Sequence, residues 1–217
     1  MYQQTLTNHP KLSTRKKETE RQYQRAKELF ETLEQKGVSI YTVGSIGRDE
    51  IGDKSDLDLF FIAEDKISKL EEHKLFAKSI QFNQQLGFED FSNDGEFLRV
   101  HAINRDMMNI GNPKDDNDNF FTARMLLLLE SKPLFNETLY NNSLKRLIKI
   151  YFRDFNENQQ FVPLFFLNDL LRFWRTLCLN YESARIEQNK PARKKNLNLK
   201  YSRMITIFGT VDRKSVV

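Results

Sequence analysis

Apolar positions recur along this chain with two different spacings, and the spacing changes where the elements should change. From Lys16 to Lys36, Tyr23, Ala26, Phe30 and Leu33 fall on one stripe among charges, which predicts a helix closed by Gly37. Val38 to Val43 reads as a short strand broken at Gly44-Ser45, and Leu57 to Ile62 as a second strand apolar enough to be buried on both faces. Glu64 to Leu86 returns to helical spacing through Ile67, Leu70, Ala77 and Ile80, with Gly87 as its stop. Phe88 to Phe91, a turn at Asn93-Asp94-Gly95 and Glu96 to Ile103 predict strand, turn, strand.

Beyond Asn104 the alternation gives way to helix. A polar connector, Asn112 to Asn119, precedes helical stretches at Phe120 to Glu130, Ser143 to Asn158 and Leu164 to Arg185, then a shorter apolar stretch from Leu197 to Phe208. The second of these carries the stripe Leu144, Leu147, Ile148, Tyr151 and Phe155. The predicted class is α+β: a loose tail over 1–15, a head with a small mixed sheet over 16–110, and a helical half over 111–217. Gly209 to Val217 shows neither cap nor closing helix, which leaves open that the chain is a portion of a longer protein.

Composition narrows the picture. With 18 Phe among 217 residues the chain has the bulk for a real core, which excludes global disorder. The formal charge of +4 permits a polyanionic partner without announcing one. A single cysteine, Cys178, excludes an internal disulfide and a cysteine-based zinc site. The polar N-terminus has no signal-peptide core, and no apolar run approaches the ~20 residues of a membrane span. The expectation is a cytoplasmic protein that does not enter the membrane.

Chemistry concentrates in Tyr41 to Phe61, YTVGSIGRDEIGDKSDLDLFF. Alternate residues of a strand share a face, so Asp56 and Asp58 should project together at the start of a buried strand. Two such carboxylates repel unless a cation lies between them, and Mg²⁺ takes one or two carboxylates plus phosphate oxygens. Gly44 lets the backbone approach a phosphate, and the Ser45 hydroxyl can donate to it. Arg48 is a phosphate candidate on the same loop, set against an ordinary solvated position. Lys54 reads as surface.

Gly-Ser, a gap of nine residues, then Ser-Asp-x-Asp-hydrophobic resembles the signature of the DNA polymerase β-like nucleotidyltransferase superfamily. Within it, GSIGRDEIGDKSDLDLFF is similar to the head of bacterial protein uridylyltransferases and related nucleotidyltransferases, and NFFTARMLLLLESKPLF to the helical segment that follows. The resemblance implies an enzyme that moves a nucleoside monophosphate from an NTP to a protein or small-molecule hydroxyl, releasing pyrophosphate. Gly44, Ser45, Arg48 and Ser55 would serve nucleotide binding, and Asp56 and Asp58 would hold Mg²⁺ or Mn²⁺.

A third carboxylate is expected on a later strand, where Arg99 occupies the centre instead. Glu96 is the choice, with Asp90 and Asp94 behind it and His101 as an acceptor-side base or, more simply, a partly buried strand residue. His73 reads as a core-edge residue and Arg124 as structural. Asp115, Asp116 and Asp118 lack the glycine and glutamate of a calcium loop. Trp174 with Phe165, Phe166 and Phe173 is read as core rather than a base-stacking platform. Arg172, Arg175, Lys194, Lys195, Lys200 and Arg203 form either a basic rim around a triphosphate or RNA, or a solvated face. Two other readings stand: a nucleotide-sensing or protein-binding module without turnover, favoured by Arg99, and an RNA-end nucleotidyltransferase. A nucleic-acid partner is thus held open but not favoured.

Overall fold

The computed structural model describes residues 9–52, 55–89, 91, 99–111, 119–155, 161–188 and 199–214. Helix α1 spans Pro10–Phe30 and β1 Val38–Thr42; a single helical turn, Gly44–Gly47, follows, then β2 at Leu59–Ala63 and α2 at Lys69–Leu86. After β3 (Val100–Ala102) and a π-helical turn, Ile103–Met107, come α3 (Phe120–Leu129), β4 (Lys132–Phe135), α4 (Glu137–Tyr151) and α5 (Leu164–Gln188). A second π-helical turn, Leu199–Arg203, leads into α6 (Met204–Lys214). The α+β expectation holds.

The sheet order is β3-β2-β1-β4, mixed in sense: β1 is antiparallel to β2 and β4, and β2 is parallel to β3. Every residue of β1 and β2 is buried, as a central strand covered on both faces requires. Ile40, Phe61, Leu59 and Leu134 face α1 and α2, where Phe30 meets Phe82 edge-on at 5.2 Å. Tyr41, Val43, Phe60 and Ile62 face the helical half, with Met125, Leu147, Leu170 and Phe173. The sheet is therefore the middle of three layers, with an apolar cluster on each face.

Several elements differ from the sequence reading. Helix α1 begins at Pro10, since proline at N1 lacks only an N–H that would have no partner there. Gly37 is left-handed (φ 70°) but lies beyond the helix end, whereas Gly87 (φ 78°) is the C-cap of α2. Helix α2 turns a different face inward from the one its apolar spacing suggested: Leu70 is 65% exposed and Ile80 and His73 are exposed, while Glu72, Leu75, Ser79, Phe82 and Asn83 are buried. Glu72 accepts the Val100 N–H at 3.0 Å and Ser79 donates to the Leu75 carbonyl at 2.9 Å, so polar side chains with local partners occupy the inner face.

On α4 the inner face is Tyr140, Ser143, Leu147 and Tyr151, with Ile148 and, beyond the helix, Phe155 exposed. Phe88, Glu89 and Phe91 are not strand, and the strand expected from Glu96 is described over Val100–Ala102. Strand β4, which the hydrophobic pattern did not show, is short and contains Pro133; an edge strand tolerates a residue without an N–H.

Candidate active site

The ladder between β1 and β2 runs one step past the strands, because the Val43 N–H donates to the Asp58 carbonyl at 3.1 Å. That bond sets the Asp58 side chain beside Gly44, whose φ is 68°. A Cβ at Gly44 would overlap the Asp58 carboxylate, so glycine is needed twice over, for its dihedral and for its missing side chain. The loop between is held from α1: the Thr19 hydroxyl accepts the Ile51 N–H at 3.1 Å. The single turn Gly44–Gly47 is pinned equally tightly, since a Cβ at Gly47 would overlap the Glu130 carbonyl.

Asp56, Asp58 and Gly44 line a cavity of about 270 Å³ that is closed from the helical half by Thr122, Leu126, Phe173 and Leu177, with Asn180 and Arg203 at its wall. Burial, then the Asp56 charge, pushes the Asp58 carboxyl up to about 6, with Arg203 and Arg48 pulling the other way. The Ser45 Oγ is buried with no hydrogen-bond partner among the described residues. Hydroxyls so placed are normally satisfied. A divalent cation fits this set: two carboxylates on one cavity, the charge of one raising the other, beside a backbone stripped of its Cβ. Among the described residues no three His, Cys, Asp or Glu side chains gather, so the described part of the cavity offers such an ion the two aspartates.

The structure brings Gly44, Asp56 and Asp58 to one cavity with Ser45 on the adjoining turn, and distributes the other candidates elsewhere. Arg48 is bonded to the Glu130 carboxylate and, at 3.2 Å, to Glu50, so its guanidinium is committed to protein carboxylates. Ser55 accepts the Gly52 N–H at 2.8 Å and faces a separate hollow against α1 and Gly87, not the aspartate cavity. Glu96, Asp90 and Asp94 lie outside the described residues, as do Lys54, Asp115, Asp116, Asp118, Lys194 and Lys195.

His101 is buried beside Phe60 (6.3 Å between ring centroids) and edge-on to Phe120 (5.9 Å), and neither ring nitrogen has a partner among the described residues. Burial lowers its pKa to about 4, with Arg99 adding to the effect, so it stays neutral and packs as an aromatic. Arg99 lies over the Phe120 ring at 4.6 Å. Arg124 is structural, donating to the Tyr151 hydroxyl at 3.1 Å and the Met107 carbonyl at 3.2 Å.

Trp174 packs at the core edge against Phe208, while Phe173 reaches the cavity. Thr122 and Glu130 lie in the segment likened to the helix after the head but were not singled out there, and Asn180 carried no motif that could have marked it. They reach the site only because α3 and α5 fold over the sheet.

Residues 23–99 match the family model described as a nucleotidyltransferase domain. The matched span runs from the middle of α1 to the residue before β3, and contains Gly44, Ser45, Asp56 and Asp58. The search of curated proteins found no match, and neither did the search of solved structures. The domain supports transfer of a nucleoside monophosphate as the general chemistry of the head.

Proposed function

We propose that the protein transfers a nucleoside monophosphate from an NTP to a hydroxyl of a protein or small molecule, releasing pyrophosphate. The observation that carries this is the contact of Gly44 with the Asp58 carboxylate, in the segment matched as a nucleotidyltransferase domain and opening on a cavity that both aspartates line. In the reaction a bond forms between the acceptor oxygen and the α-phosphorus. The bond from that phosphorus to the bridging oxygen breaks, pyrophosphate leaves with the electron pair, and the acceptor proton passes to a base.

Asp56 and Asp58 would hold Mg²⁺ or Mn²⁺, which supplies charge neutralisation at the phosphates. The Ser45 hydroxyl donates to a phosphate oxygen, which satisfies an otherwise unpaired buried group. Gly44 admits the phosphate close to the backbone. Leu126, Phe173 and Leu177 exclude water from one side of the cavity. The acceptor class rests on the likeness of the Gly44–Phe61 segment to protein uridylyltransferase heads.

Wild type, Asp56→Ala and Asp58→Asn incubated with each α-labelled NTP, Mg²⁺ and cell extract test this. Label should appear on an acceptor with wild type, and fall about a hundredfold or more in either variant, since several kcal/mol of charge stabilisation would go. Equal labelling by the variants removes the assignment. A nucleotide-sensing module is the second reading, favoured by Arg99 and a neutral His101 where β3 meets β2. NTP binding without labelling selects it.

A further inference from the structure

Among the described side chains lining the aspartate cavity, Asp56 and Asp58 are acidic and Arg203 is basic. Arg203 comes from the turn before α6, far along the chain from the head, and its side chain is 27% exposed. One contact fastens that turn to the loop after Gly44 and another to the end of α3. The Ser202 hydroxyl bonds to Glu50, and Arg203 donates to Glu130 Oε1 at 3.4 Å. Arg48 closes the ring, bonded to Glu50 on one side and to Glu130 Oε2 on the other. Glu130 is itself buried, with its carbonyl packed on Gly47.

The ring divides one buried carboxylate between two arginines. Arg48 takes the close bond and Arg203 the long one, which leaves most of the Arg203 donors unused on the described protein. Burial lowers the Arg203 pKa, even with Glu130, Asp58 and Glu50 nearby, so this cation is not fully compensated by its surroundings. A guanidinium offers planar paired donors that match a phosphate.

We propose that Arg203 binds the β,γ-phosphates of the incoming nucleotide and the pyrophosphate that leaves, and that Glu130 positions it. This rests on the nucleotidyl-transfer reading and assigns that site a phosphate-binding residue supplied by the C-terminal helical segment. Glu130 acts through Arg203 and Arg48 and does not touch substrate. The aspartates would hold a cation that neutralises part of the triphosphate charge; Arg203 serves the charge left over.

Calorimetry on the full chain with Mg²⁺ separates the possibilities. The probes are inorganic tripolyphosphate, the α,β-methylene analogues of the four NTPs, and the four nucleoside monophosphates. Arg203→Gln should weaken tripolyphosphate and whichever triphosphate analogue wild type binds by about 10- to 100-fold, the loss of charge-assisted hydrogen bonds. Monophosphate binding should be unchanged. Arg203→Lys should recover part of the affinity, and Glu130→Gln should raise KM for the NTP more than it lowers kcat.

Wild-type triphosphate affinity in Arg203→Gln, while Asp58→Asn still abolishes transfer, overturns the Arg203 assignment and leaves the transfer reading standing. Equal weakening of mono- and triphosphates together with a lowered melting temperature assigns Arg203 to structure, and also overturns it. No triphosphate binding by the wild type removes both.

Discussion

Two glycines and one aspartate show how little room this site has. Gly47 carries no left-handed dihedral; its constraint is the Glu130 carbonyl against its α-carbon. Gly47→Ala should therefore cost about 1–3 kcal/mol of stability as over-packing, read by urea denaturation. Gly44→Ala adds a dihedral cost of about 1–2 kcal/mol and pushes into the Asp58 carboxylate, so transfer should be lost along with stability. Asp58 behaves in the opposite sense. Its carboxyl is raised to about 6 from 3.8, so above that pH the folded state holds a charge that the unfolded chain holds more easily. Asp58→Asn should raise the melting temperature in metal-free buffer near neutral pH while abolishing transfer. A drop in melting temperature would show that the carboxylate is a structural prop.

The elements explain which expectations about β3 and α2 succeeded. His101 was a candidate base because it shares a strand face with Arg99, where an acid was expected, and the structure pairs its strand with β2, with His101 opposite Ile62. Its environment decides otherwise: enclosed by Phe60 and Phe120, it is held neutral. A histidine whose folded pKa lies below its unfolded value contributes stability fully above about pH 6.5, and loses it as pH falls through that value toward about 4. Unfolding free energy should drop by about 3 kcal/mol over that window from this group. His101→Phe should flatten that part of the profile in urea titrations at pH 4 to 7; an unchanged slope would mean that the ring is solvated. On α2, hydrophobic spacing pointed to the wrong face because Glu72 and Ser79 are buried with partners supplied by β3 and by the helix itself. Periodicity registers polarity, and cannot register a partner that arrives from elsewhere in the chain.

At the scale of the molecule the sheet divides two cores, and the helical half has its own polar centre. Asp169 accepts the Tyr151 hydroxyl at 2.6 Å and Arg172 at 3.1 Å, and lies 3.6 Å from the guanidinium of buried Arg124. Asp169→Ala would leave the Arg124 charge buried and unbalanced, at a cost of about 3–5 kcal/mol. Chemical denaturation should show that loss, and Arg124→Met with Asp169→Leu should recover part of it. Among the described residues no helix is long and apolar enough to cross a membrane. Local order determined much of this protein. The run Gly44-Ser45 to Asp56-Leu57-Asp58 was legible as a local motif, although its aspartates lie just before β2 and not within it, and strands buried on both faces advertise themselves as continuous apolar runs. Tertiary structure decided the rest. The cavity wall from α3 and α5, the sharing of Glu130 by Arg48 and Arg203, the neutrality of His101 and the edge strand through Pro133 all depend on contacts between residues distant in the chain. Such contacts leave no period in the sequence, because each is set by where whole elements pack and not by which residues are neighbours.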